Sequence, residues 1–153
     1  MRSTIRKGSL AVALLALMFL STGANVRLGE LPHRGQQPEP TPFKLKGAGQ
    51  VDFANAGFDF SGTATHLGKY SATGAIDFST FAIHGNFEAA NGDTLDWTAE
   101  FSTGPLGELE ATFTFSGGTG RFTGASGSAS GPVALDPDLM FLLTLQGTIT
   151  LQN

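Results

Sequence analysis

Residues 107–131 read GELEATFTFSGGTGRFTGASGSASG. The first nine alternate without a fault: Leu109, Ala111, Phe113 and Phe115 fall on one side, Glu108, Glu110, Thr112 and Thr114 on the other. A period of two is the mark of a strand with one face buried. The glycines that follow decide what this strand runs into. A phosphate-cradling loop needs two glycines separated by four residues, then Lys and Ser or Thr opening a helix, and no glycine here stands in that spacing before a lysine. The dinucleotide fingerprint fails by one place, because Thr123 stands where the third glycine belongs after Gly118 and Gly120. Phe115 and Phe122 bracket the segment as core residues do, which argues against a flexible linker. What remains is a turn over residues 116–120 that needs positive backbone angles, followed by a strand of small residues from Phe122 to about Gly131.

The same alternation runs through the chain from Phe43 to its end, cut at short intervals by Gly, Asn or Asp. FKLKG puts Phe43 and Leu45 opposite Lys44 and Lys46. GFDFSGTATHL gathers Phe58, Phe60, Gly62, Ala64 and His66 on one face. The third run, about residues 70–79, sets Ile76 and Phe78 against Thr73 and Asp77. FAIHGNFEA aligns Phe81, Ile83, Gly85 and Phe87, and TLDWTAEFS aligns Leu95, Trp97, Ala99 and Phe101. With the stretch quoted first and the closing LMFLLTLQGTITL, eight strands result. No stretch carries a helical period and no interval is long enough for a crossover helix, so the strands should be antiparallel neighbours in up-and-down order. Eight such strands close most naturally into a β-barrel, which leaves no exposed edge. Glycines within the strands fit the bends of such a barrel. The expected fold class is therefore all-β, an eight-stranded antiparallel up-and-down barrel over residues 43–153.

Alternation does not say which face points inward, and an outer-membrane barrel turns its apolar face to lipid. Thirteen Phe against one Tyr and one Trp make a poor aromatic girdle, the loops are short, and the chain closes on Gln152 and Asn153. A soluble barrel with a phenylalanine core is the expectation.

Residues 1–24 read as a secretory signal peptide: Arg2, Arg6 and Lys7, then an apolar run over about residues 10–20, then Thr22, Gly23 and Ala24. The run falls short of the ~20 residues a membrane-spanning helix needs, so cleavage near Ala24 is favoured over a retained anchor. With no cysteine in the chain, lipid attachment at a cysteine and disulfides are both excluded. Residues 25–42, with Pro32, Pro38, Pro40 and Pro42, read as a linker. The mature chain would hold six Lys and Arg against thirteen Asp and Glu, a formal charge of −7. That balance lacks the basic footprint of a nucleic-acid binder and would be repelled by anionic lipid. The expected location is secreted or periplasmic.

Three motifs, GTATHLGKY at 62–70, ANGDTL at 90–95 and GGTGRFTGASGSA at 117–129, resemble those of small secreted bacterial proteins related to the allene oxide cyclase and dirigent barrels. The resemblance covers about residues 43–151. It implies an eight-stranded barrel with an apolar lumen and, by analogy with plant members, a trimer. Plant cyclases of this kind isomerise a fatty-acid epoxide with a carboxylate and a bound water, and dirigent barrels guide phenolic radical coupling. Here Glu88, Glu100 and Glu110 fall on the polar, outer face, and the inner face offers only His66 among ionisable groups, with Tyr70 nearby.

His66 reads either as a general base or ligand contact at the barrel mouth, or as a histidine hydrogen-bonded to backbone at a turn. Arg121 reads either as a clamp for a carboxylate ligand or as a structural ion pair with Asp93 or another acid. Asn91, Gly92 and Asp93 suggest a two-residue hairpin turn. No metal site is expected, since His66 and His84 fall on opposite faces and Asp136 and Asp138 lack further oxygen ligands. No cofactor is expected, and no hydrolase elbow is present. The candidate ligand-binding residues are His66, Tyr70, Phe58, Phe60, Phe87, Trp97, Phe101, Phe113 and Arg121. The expected partner is a small hydrophobic molecule in an apolar lumen. The alternatives are a cyclase or isomerase of the plant type and a barrel with a filled core that serves structure or interaction.

Overall fold

The computed structural model describes residues 38–152. The signal-peptide reading and most of the linker lie outside the described residues. Eight strands form one closed antiparallel barrel in chain order: β1 Thr41–Asp52, β2 Gly57–Ala64, β3 Gly68–Asp77, β4 Ala82–Ala89, β5 Thr94–Thr103, β6 Leu109–Gly118, β7 Ser126–Leu135 and β8 Met140–Thr150. The seam is β1 on β8, paired from Thr41↔Ile149 to Gln50↔Met140.

The apolar face of the alternation is the inner one. Phe43, Leu45, Phe60, Phe87, Trp97, Phe113, Leu145 and Ile149 are buried, while Lys44, Asp59, Thr63, Asn86, Thr98 and Thr112 between them are exposed. Burying side chains of this size supplies roughly 1.5–3 kcal/mol each, which is what holds a barrel that has no cysteine. Large and small residues alternate across the wall so that the rings fit: a β-carbon at Gly74 would run into the Phe58 ring, and one at Gly85 into the Trp97 indole.

Several local expectations are corrected. The seventh strand begins at Ser126, not Phe122. Residues Gly120–Phe122 instead form a 3-10 turn, with Phe122 N–H bonded to Thr119 O at 3.0 Å. Gly120 has φ +56°, and a side chain there would strike the Asp93 carboxylate. The first strand runs five residues beyond Gly47 and starts at Thr41. The Asn91–Asp93 hairpin is a four-residue loop, Ala90 to Asp93, with Gly92 at φ +83° and Gly92 N–H on Ala89 O at 2.8 Å. Phe78 and Phe81 are not strand residues but belong to the β3–β4 turn.

The two ends of the barrel differ. At the end where β1 starts and β8 finishes, Phe43, Leu67, Leu95, Phe115, Phe122 and Ile149 are all buried and fill the lumen. Phe122, fully buried, is delivered by the 3-10 turn as a plug. The opposite end carries the β1–β2, β3–β4, β5–β6 and β7–β8 turns, and it is open.

Candidate functional site: an apolar cavity at the open end

The open half of the barrel contains a cavity of about 270 Å³. Every strand contributes to it and every lining residue is apolar, among them Val51, Phe58, Ile76, Ile83, Val133, Phe141 and Leu143. Its existence follows from residue choice. The middle of the barrel is filled by rings in contact, with Phe60 to Phe87 at 5.7 Å, Phe87 to Trp97 at 5.7 Å and Trp97 to Phe113 at 4.7 Å between centroids. Toward the mouth the walls change to Val51, Ile76, Ala111 and Val133, side chains too short to meet on the axis. The core therefore ends in a floor, with Phe58, Phe113 and Phe141 both lining the cavity and packing on the aromatic layer beneath.

The rim is apolar and exposed. Phe53, Phe78, Phe81, Phe101, Leu109 and Leu135 line the cavity and also face solvent, Phe81 being 78% exposed. The remaining exposed large hydrophobics, Leu106, Met140 and Leu142, lie at the same end of the barrel. Exposed apolar residues gathered round one opening in this way mark an interaction site.

Each rim turn is built on one carboxylate. Asp52 accepts from Ala54 N–H at 3.0 Å and Asn55 Nδ2 at 2.6 Å. Asp77 accepts from Ser79 N–H, Ser79 Oγ and Thr80 Oγ1 at 2.6–2.8 Å. Glu108 accepts from Leu106 N–H at 2.9 Å, and Asp136 from Asp138 N–H and Met140 N–H at 3.0 and 2.9 Å. At Asp52 and Asp77 these bonds favour the ionised form. The Ser79 hydroxyl, then the Thr80 hydroxyl, hold the Asp77 carboxyl down at about 2, and the Asn55 side chain lowers that of Asp52. Three of the four turns also force a non-glycine residue into the left-handed region: Ala56 at φ +52°, Phe81 at +57° and Leu139 at +64°. That region is costly for a bulky side chain, and at Phe81 it turns a large ring toward the opening.

Of the sequence-derived candidates, Phe58, Phe101 and Phe113 line the cavity. Phe60, Phe87 and Trp97 form the packed layer under it, so they support the floor. Trp97 Nε1 is the one buried side-chain polar atom without a partner among the described residues.

His66, Tyr70 and Arg121 belong to the closed end and are not brought to the cavity. Of the two readings of His66, the contact on the inner face at the mouth is corrected and the histidine bonded to backbone at a turn is the one found: β2 ends at Ala64, and His66 sits in the β2–β3 turn at φ +67°. Its Nε2 lies 3.3 Å from both Thr41 Oγ1 and Pro42 O. Tyr70 is buried, its hydroxyl donates to Lys46 O at 3.3 Å, and burial pushes its pKa above the usual phenol range. Arg121 Nε stands 3.6 Å from Asp93 Oδ2, with the guanidinium over the Phe122 ring.

The sequence reading missed Val51, Phe53, Ile76, Phe78, Phe81, Ile83, Leu109, Ala111, Val133, Leu135, Phe141 and Leu143 as one constellation. A signal was present in the repeated triplets Val51-Asp52-Phe53 and Ile76-Asp77-Phe78. In each, an inward β-branched residue precedes the acid that holds the turn and the phenylalanine that forms the rim.

No group of three or more His, Cys, Asp or Glu stands close enough to hold a metal among the described residues. The chain matches no protein-family model, no curated protein and no solved structure.

Proposed function

We propose that this barrel is a soluble, secreted or periplasmic module that binds a small hydrophobic molecule in the cavity at its open end. The observation that carries this is the pairing of a wholly apolar 270 Å³ cavity with a rim of exposed phenylalanines. That volume falls just below the ~300 Å³ at which small-molecule pockets usually begin, so the guest is small. A barrel that served only as a packed structural unit has no need of Val, Ile and Ala walls above a complete aromatic floor. The apolar face turned inward and the Lys, Thr, Asp and Glu on the outer face support a soluble barrel over one that crosses a membrane. A cyclase of the resembled kind needs a carboxylate or another acid–base group at the reacting centre, and no ionisable residue lines this cavity. Binding without turnover is the reading that fits the lining.

The test uses the neutral dye N-phenyl-1-naphthylamine, which brightens in apolar surroundings. The expected result is saturable enhancement with one dye per barrel, lost when Val133→Trp fills the cavity and kept in Arg121→Gln at the closed end. Unchanged dye binding in a folded Val133→Trp protein overturns the proposal. Trp97, the chain's single tryptophan, one layer under the floor, provides an independent fluorescence readout.

A further inference from the structure

We infer that the guest is a hydrophobic cation, seated with its apolar body in the cavity and its positively charged end among the rim phenylalanines. This rests on the binding reading above. The cavity is the site; the carboxylates around it bias what enters and are not themselves ligands.

Two independent features agree. The first is the chemistry of the rim. With no polar group on the lining, a charged or polar end must stay at the mouth, because burying it unpaired costs several kcal/mol. What it meets there is Phe53, Phe78, Phe81 and Phe101, all exposed and all lining the opening. The face of an aromatic ring attracts an ammonium or similar cation and repels an anion.

The second is the partition of charge along the barrel axis. The open half carries Asp52, Asp59, Asp77, Glu100, Glu108, Glu110, Asp136 and Asp138, and no lysine or arginine among the described residues. Lys44, Lys46, Lys69 and Arg121, the four described cations, all stand in the closed half. His84 is the one further titratable side chain of the open half, exposed on the outer face of β4. A single-sign mouth over a low-dielectric cavity focuses its potential on an approaching charge. That potential opposes a fatty-acid carboxylate, and the open half contains no arginine or lysine to pair with one.

The experiment is displacement of N-phenyl-1-naphthylamine by three guests of one chain length: decyltrimethylammonium, decanol and decanoate, at pH 7 in low salt and again in 0.5 M salt. The expected order is cation, then alcohol, then anion, with roughly tenfold or more between the first and last in low salt and a narrower gap in high salt. Asp59→Asn, Glu100→Gln, Glu110→Gln and Asp138→Asn together, which spare the four turn-holding carboxylates, should shrink the gap while leaving decanol unchanged. Decanoate binding as tightly as the cation, with the dye still bound at the cavity, overturns the charge inference alone. Failure of the dye and all three guests to bind overturns the cavity reading and this inference with it.

Discussion

The ring of Phe58 on β2 lies over the α-carbon of Gly74, its register partner on β3, in the space where a β-carbon would stand. Floor and wall are thus fitted at one point. Gly74→Ala must push the ring upward into the cavity, an overpacking that costs about 1–3 kcal/mol. Urea denaturation should record that loss and dye titration a weaker site in the same variant. Full stability with unaltered dye affinity would show that the ring is free to move.

Phe81 combines a left-handed backbone with high exposure, so it contributes little to the core and carries local strain. Asn tolerates that backbone better than any bulky apolar residue. Phe81→Asn should hold or raise stability, by up to about 1 kcal/mol, while weakening guest binding. Thermal melting and dye titration separate the two effects. A fall in stability of the size seen for core phenylalanines contradicts this assignment.

Phe122 is the corresponding test at the other end. Truncation to Ala removes a fully buried plug and should cost about 3–5 kcal/mol, yet leave dye affinity unchanged, because the plug and the cavity are separated by the aromatic layer. A large change in affinity would mean that the two halves of the lumen communicate.

The Asp77 carboxyl has a folded pKa of about 2 against an ordinary value of 3.8. Since the folded value is the depressed one, its grip on the β3–β4 turn is present above pH 3.8 and is lost as pH falls through about 2. The protection of the Ser79 and Thr80 amides, their exchange rate relative to the intrinsic rate at each pH, should fall over that interval. In Asp77→Asn protection should be lower at neutral pH and constant across the same window. A midpoint near the ordinary carboxylate value would show that the hydroxyl bonds are not formed in solution.

The barrel was legible because its warrant is periodicity, and periodicity is what a strand with one buried face imposes on the chain. All three motifs behind the family resemblance lie at the closed end: His66 in the β2–β3 turn, Asp93 in the β4–β5 loop, and Arg121 beside the Phe122 plug. They report how the lumen is shut, and nothing about what it holds. The open end was harder to read because alternation does not register exposure. Phe78 and Phe81 continue the apolar phase of their strands on paper, and only the Asp77 turn takes them out of it. The start of the seventh strand was misplaced for a related reason, since Phe122 is as buried as a strand residue although it arrives on a 3-10 turn. The end of the first strand was missed because Gly47, Ala48 and Gly49 blur the contrast between faces.

Because the strand count is even and the order is sequential, the chain enters β1 and leaves β8 on the same rim, with Thr41 beside Ile149. That rim is the plugged one. Strands of ten or so residues tilted in a barrel give a height of roughly 25 Å, so a tether fixed ahead of residue 38 holds the molecule by its base and presents the phenylalanine mouth to the medium. A biosensor chip loaded through the amino-terminal side would leave that mouth facing the analyte.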